Sequence, residues 1–125
     1  MGFLDALMGN ASEVNPDEAQ REFGNLLSRS ENVERAYKLI RDMFIFTNKR
    51  LIIIDKQGIT GKKIDFHSYP YKSITHFSIE TAGNYDLDAE LKIWISGSVT
   101  PIQKTFNKNL NIYDLQKVLA EYVLK

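Results

Sequence analysis

The densest apolar stretch of the chain comes as two β-rich runs, Met43 to Thr47 and Leu51 to Ile54, flanking the polar tripeptide Asn48-Lys49-Arg50. Asn tolerates turn conformations, and β-branched and aromatic flanks suit a pleated, buried surface, so the stretch predicts a hairpin in the core of an antiparallel sheet. Around it the pattern changes period. Phe3, Leu4, Leu7 and Met8 recur at helical spacing before Gly9-Asn10, which predicts a short amphipathic helix. So short a helix is unstable alone in water and must dock on its own domain, a sister subunit or a membrane. A second helix is predicted from Asn15 to about Ser28. Asn15 is its cap, Pro16 stands at the first helical position, Glu18 closes a capping box, and Ala19, Phe23, Leu26 and Leu27 form one apolar face.

Strands follow. Val33 to Ile40 sets Tyr37 and Leu39 against Ala36 and Ile40, and Lys62 to Tyr69 alternates with Ile64 and Phe66 in register. Pro70-Tyr71-Lys72-Ser73 breaks the ladder, because proline lacks a donor. Ile74 to Thr81 is a strand with Phe77 and Ile79 inward. Ala89, Leu91, Ile93 and Ile95 alternate with Glu90, Lys92, Trp94 and Ser96 as a half-buried strand, and Thr100 to Asn107 is the last. A closing helix starts at the cap Asn111, with Ile112, Leu115, Val118, Leu119 and Tyr122 in one stripe. About seven short strands closed by one amphipathic helix predict a mainly β domain, a small barrel or sandwich whose open end the helix covers. The expected organisation is an N-terminal helical extension over residues 1–29 and one β-rich domain over residues 30–125.

Composition narrows the class. At 125 residues the chain has the size of one ordinary domain. It contains no cysteine, which excludes disulfides, thiolate metal sites and cysteine nucleophiles. Lysine plus arginine equals aspartate plus glutamate at 16 each, so the electrostatic footprint of a general nucleic-acid binder is missing. No apolar run approaches a membrane span, and residues 1–8 lack the features of a secretory signal; the expected location is cytoplasmic.

Several of these segments together resemble the bacterial pleckstrin-homology family. They are Arg41-Asp42, Phe46-Thr47-Asn48-Lys49-Arg50-Leu51, Gln57-Gly58-Ile59-Thr60-Gly61-Lys62-Lys63, Pro70-Tyr71-Lys72-Ser73-Ile74 and Glu80-Thr81-Ala82-Gly83. The resemblance implies a pleckstrin-homology-like, seven-stranded barrel of two near-orthogonal sheets capped by the C-terminal helix. It also implies a tendency to form ring-shaped homo-oligomers, and no enzymatic activity. The chain departs from the eukaryotic domains that grip inositol phosphates. After Lys38 and Arg41 come Asp42 and the apolar Met43 to Phe46, so the clustered basic triplet is missing and phosphoinositide binding is not implied.

The candidate chemistry is sparse. His67 and His76 stand in separate predicted strands with no nucleophile elbow or ligand spacing around them, so neither a catalytic group nor a metal site is expected. Asp86 and Asp88 read as turn chemistry rather than a calcium loop, and Gly58 and Gly61 as turn glycines rather than a phosphate loop. Lys38, Arg41, Lys49 and Arg50 are candidates for an anion or headgroup patch at one end of the barrel. Trp94, by alternation, stands on the outward face of its strand, where a large aromatic marks a partner surface. With Phe3, Leu4 and Leu7 it is the candidate oligomer or partner interface. The sequence therefore predicts a non-enzymatic binding or scaffold module without a cofactor, which self-associates and binds a protein partner. The alternative is a peripheral module for membrane or anionic headgroups.

Overall fold

Met43 to Ile54 is apolar on both faces because both faces are covered. The computed structural model describes residues 13–39, 42–57, 63–81, 88–107 and 112–124. Within them β1 (Glu13–Val14), β2 (Val33–Lys38), β3 (Asp42–Thr47), β4 (Arg50–Gln57) and β5 (Lys63–Pro70) form one antiparallel sheet in that order. A second antiparallel sheet contains β6 (Ile74–Glu80), β7 (Asp88–Ile95) and β8 (Ile102–Asn107). Two helices complete the fold, α1 (Pro16–Phe23) and α2 (Ile112–Val123).

The hairpin β3–β4, in register through Phe44↔Ile53 and Phe46↔Leu51, separates two cores. On one face Tyr37, Phe44, Phe46, Leu51 and Ile53 pack with Leu91, Ile93 and Phe106 of the second sheet and with Leu115, Val118 and Leu119 of α2. On the other, Ala36, Met43, Ile45, Ile52 and Ile54 pack under Val14, Ala19 and Phe23. A strand buried on one face alternates; one buried on both reads as a continuous apolar run. Polar contacts add to the apolar join: the Lys104 ammonium of β8 lies 3.5 Å from Asp42 and 3.6 Å from Asp55. The Tyr37 hydroxyl donates to Asp114 of α2 at 2.7 Å.

The elements match the sequence pattern with instructive differences. Asn15 caps α1 as expected, its Oδ1 accepting from the Asp17 N–H at 2.8 Å. The α-helix stops at Phe23 rather than near Ser28 and tightens into a 3₁₀ turn at Gly24–Leu26. Glycine is a poor helix former, and the tighter turn sets Leu26 and Leu27 against the second core. β1 is not foreseen, since a two-residue strand carries no periodicity of its own. Ile64 and Phe66 do share a face, yet they are 40% and 42% exposed. Their strand β5 lies at the edge of the five-stranded sheet, beyond most of the cover given by α1. The expected N-terminal helix with Phe3, Leu4 and Leu7, together with Arg41, the turn glycines, Asp86 and the cap Asn111, lies outside the described residues.

Candidate functional site

The tip of the β3–β4 hairpin gathers the largest group of polar contacts in the described structure. Thr47 organises the turn: its hydroxyl accepts from the N–H groups of Lys49 at 3.0 Å and Arg50 at 2.9 Å and donates to Glu31 at 2.5 Å. Arg50 uses every arm of its guanidinium. Nε and Nη2 grip the two Glu31 oxygens at 2.8 and 2.9 Å, Nη1 donates to the Ser68 hydroxyl at 2.9 Å, and Nη2 also donates to the Leu26 carbonyl at 2.7 Å. That last contact satisfies a carbonyl left open where the 3₁₀ turn ends. Asn48 ties the preceding loop from outside, accepting from the Asn32 N–H at 2.8 Å and donating to the Ser30 carbonyl at 3.0 Å. Tyr71 closes the group from β6's side by donating to the Thr47 carbonyl at 2.5 Å.

The Glu31 side chain is only 1% exposed. Burial by itself would raise its carboxyl, but hydrogen bonds from Arg50, Thr47 and the Ser28 backbone outweigh that and hold the pKa at about 2. Phe46 stands beneath the tip, stacked on Tyr122 and Tyr71 with ring centroids 5.4 and 6.5 Å away. Burial pushes the hydroxyls of Tyr37, Tyr71 and Tyr122 well above the ordinary tyrosine range, so all three stay protonated as donors.

Beside the tip lies an open cleft of about 520 Å³, lined by Leu26, Leu27, Ser28, Glu31, Lys49, Arg50, Ser68 and Pro70. Its walls are chiefly apolar. Its two charged groups deeper in, Glu31 and Arg50, neutralise each other, and Lys49 at the rim reaches the Ser28 hydroxyl at 3.4 Å. The described lining holds no histidine, and its one hydroxyl–carboxylate contact, Ser28 Oγ to Glu31 Oε1 at 3.3 Å, involves a carboxylate already bound to Arg50.

Of the four basic candidates Arg41 lies outside the described residues, and the other three do not converge. Lys38 pairs with Met43, at the opposite end of β3 from Thr47 and Arg50. Four residues of strand separate those rows, about 13 Å. Lys38 is 5% exposed and Arg50 is committed to Glu31, so of these three described candidates Lys49 is the exposed one. Asp42 and Asp55 face Lys104. Trp94 does stand on the outward face of β7, paired with His76 of β6. The two rings stack with centroids 4.3 Å apart and planes 15° apart. The Thr75 hydroxyl lies 3.2 Å from the Trp94 carbonyl and 3.0 Å from His76 Nδ1. His67 stacks on Tyr69 at 4.2 Å, on the other sheet. Among the described residues no group of three His, Asp or Glu is placed to hold a metal, and no helix is long and apolar enough to cross a membrane.

The chain, with its two antiparallel sheets and C-terminal helix, has matches among known proteins. A family model described as a bacterial PH domain matches residues 2–123. The chain belongs to the bacterial pleckstrin-homology family. The uncharacterised protein YjqA of Bacillus subtilis (strain 168) is 59% identical over 121 residues, 96% of this chain and 97% of its own length. The crystal structure of a pleckstrin homology domain from Shewanella amazonensis SB2B is 53% identical with a TM-score of 0.82, covering 99% of this chain and all of that one. A DUF1696 family protein with a pleckstrin-homology domain from Shewanella loihica PV-4 is 54% identical with a TM-score of 0.78, over 91% of this chain and 97% of its own.

The pleckstrin-homology assignment gives the Phe46-Thr47-Asn48-Lys49-Arg50-Leu51 motif a physical meaning. In this family member it is a structural lock. Phe46 and Leu51 fill the core, Thr47 shapes the turn, and Asn48 and Arg50 fasten the segment before β2. Glu31, the other half of the lock, lies 19 residues from Arg50, and no local pattern marks it. Asn48→Ala removes two exposed hydrogen bonds and is expected to lower stability by about 1–2 kcal/mol, read as a lower urea midpoint with an unchanged m-value.

Proposed function

We propose that this pleckstrin-homology protein is a non-enzymatic scaffold module of the cytoplasm, which self-assembles into a homo-oligomer and binds a protein partner. The stacked pair His76–Trp94 on the outward face of the three-stranded sheet carries the reading. A flat aromatic platform held by a cross-strand neighbour loses little conformational freedom on docking, and tryptophan is enriched where interface energy concentrates. The cleft beside the hairpin tip has paired charges and chiefly apolar walls. Of the groups that would carry the headgroup alternative, Arg50 is bound to Glu31 and Lys38 lies a strand's length from Lys49, while Arg41 and the N-terminal segment lie outside the described residues.

Light scattering coupled to size exclusion tests the proposal. A discrete mass of several subunits is expected at micromolar concentration, and Trp94→Ala is expected to shift it toward the monomer without changing the thermal midpoint by more than a few degrees. A strictly monomeric wild type, or an assembly indifferent to Trp94→Ala, would count against this face as the interface.

A further inference from the structure

The cleft beside the hairpin tip, at about 520 Å³, has the size of a small-molecule site. Leu26 and Leu27, at the end of the 3₁₀ turn, and Pro70 of β5 supply apolar wall. Both leucines are anchored, since they pack against the second core. The Glu31–Arg50 pair is fixed in turn by Thr47, Ser68 and the Leu26 carbonyl. The cleft is therefore formed in advance, and a ligand would not have to order it.

Its hydrogen-bonding groups are unevenly spent. Glu31 has no acceptor capacity to spare. Oε1 accepts from the Ser28 N–H at 3.0 Å, the Ser28 hydroxyl at 3.3 Å and Arg50 Nη2, and Oε2 accepts from Thr47 and Arg50 Nε. Donors are in surplus. A guanidinium carries five N–H groups. Arg50 commits Nε and both hydrogens of Nη2, but only one hydrogen of Nη1, which goes to Ser68. The Ser68 hydroxyl accepts that bond at 2.9 Å and keeps its own proton to donate. Lys49 is exposed, and of its three ammonium hydrogens one is turned to the Ser28 hydroxyl at 3.4 Å. The described lining also sets two cations, Lys49 and Arg50, against one anion, Glu31.

This imbalance selects a ligand. An oxyanion meets the surplus donors, and hydrogen bonds to a charged acceptor are the stronger kind. A ligand ammonium finds no carboxylate oxygen left to receive it. The excess of one positive charge balances one negative charge. The second charge of a phosphate dianion would face Glu31, which is ionised at neutral pH. The leucine and proline walls take an apolar body. We infer that the cleft binds a small amphiphilic monocarboxylate, with its carboxylate on Lys49, Ser68 and the Nη1 edge of Arg50 and its apolar body against Leu26, Leu27 and Pro70. This goes beyond the scaffold reading and stands without it, because it uses no part of the His76–Trp94 face.

Backbone amide shifts of the full-length, nitrogen-labelled protein test this against hexanoate, octanoate and decanoate below their micelle concentrations. Octanol, octyl phosphate and octyltrimethylammonium serve as comparators. Saturable shifts are expected with octanoate at Leu27, Ser28, Lys49 and Ser68, with binding tightened about two- to fourfold per added methylene. Octanol is expected to bind about tenfold more weakly, and the ammonium amphiphile to leave these amides unmoved. Lys49→Gln touches no contact of the Glu31–Arg50 pair, so the fold is kept, and it is expected to weaken octanoate about tenfold. The inference is overturned by the absence of saturable shifts at these amides, by octanol binding as tightly as octanoate, or by unchanged affinity in Lys49→Gln. Tighter binding of octyl phosphate than of octanoate also overturns it, and would assign the cleft to phosphorylated amphiphiles instead.

Discussion

Arg50→Ala is expected to destabilise the fold by about 3–5 kcal/mol, the largest effect of any single polar substitution here. The loss is not that of a surface ion pair, which contributes at most about 1 kcal/mol. Glu31 is 1% exposed and would keep its charge in a site stripped of its counter-ion. The Leu26 carbonyl and the Ser68 hydroxyl would lose their donor in the same step. Arg50→Lys should recover only part of the loss, since one ammonium cannot meet two carboxylate oxygens, a hydroxyl and a carbonyl in the fork geometry. Urea unfolding measures both variants. A double-mutant cycle with Glu31→Gln isolates the pair. Removing both charges is expected to cost clearly less than the sum of the single losses, because the double variant buries no unpaired ion. Additive losses would mean that the pair acts as an exposed one.

The lock also explains which parts of this protein were legible in its sequence. The hairpin was, because two covered faces write a continuous apolar run that few other arrangements produce. The start of α1 was, because Asn15-Pro16 acts within one turn. The stripe of α2 and the alternation of β7 were, because each buries one face, and the outward place of Trp94 follows from that alternation. What stayed hidden is long-range. Arg50 reads as a free cation until Glu31 is brought against it from the far side of β2 and β3. Lys38 and Lys49 read as neighbours until the pairing of β2 with β3 sets them at opposite ends. His76 acquires its place under Trp94 only through the β6–β7 register, which shifts between Ile74 and His76. Ile64 and Phe66 show the period of a buried strand, yet their exposure depends on how far α1 extends over the sheet edge. Periodicity tells which residues share a face, whereas the cover of that face is decided by elements elsewhere in the chain.

Acid is expected to remove about 3 kcal/mol of stability through Glu31 alone. Its carboxyl is held at about 2 in the fold against an ordinary value of 4.5, so the unfolded chain takes up its proton first as pH falls. The contribution is therefore fully present above about pH 5 and is lost progressively toward pH 2. Glu31→Gln keeps the shape and removes the titration. The stability gap between wild type and Glu31→Gln should be widest at neutral pH and narrow steadily below pH 5. Asp42 supplies the opposite sign within the same molecule. Burial, which outweighs the pull of Lys104, and the neighbouring Asp55 raise its pKa. Its proton is held more tightly folded than unfolded, so its unfavourable charge is felt as pH rises, and Asp42→Asn should gain relative to wild type in that direction. Chemical unfolding of the three proteins between pH 2 and pH 7 reads both slopes. A Glu31→Gln gap that does not close on acidification would place the charge of Glu31 in solvent and remove the lock from the account of the hairpin.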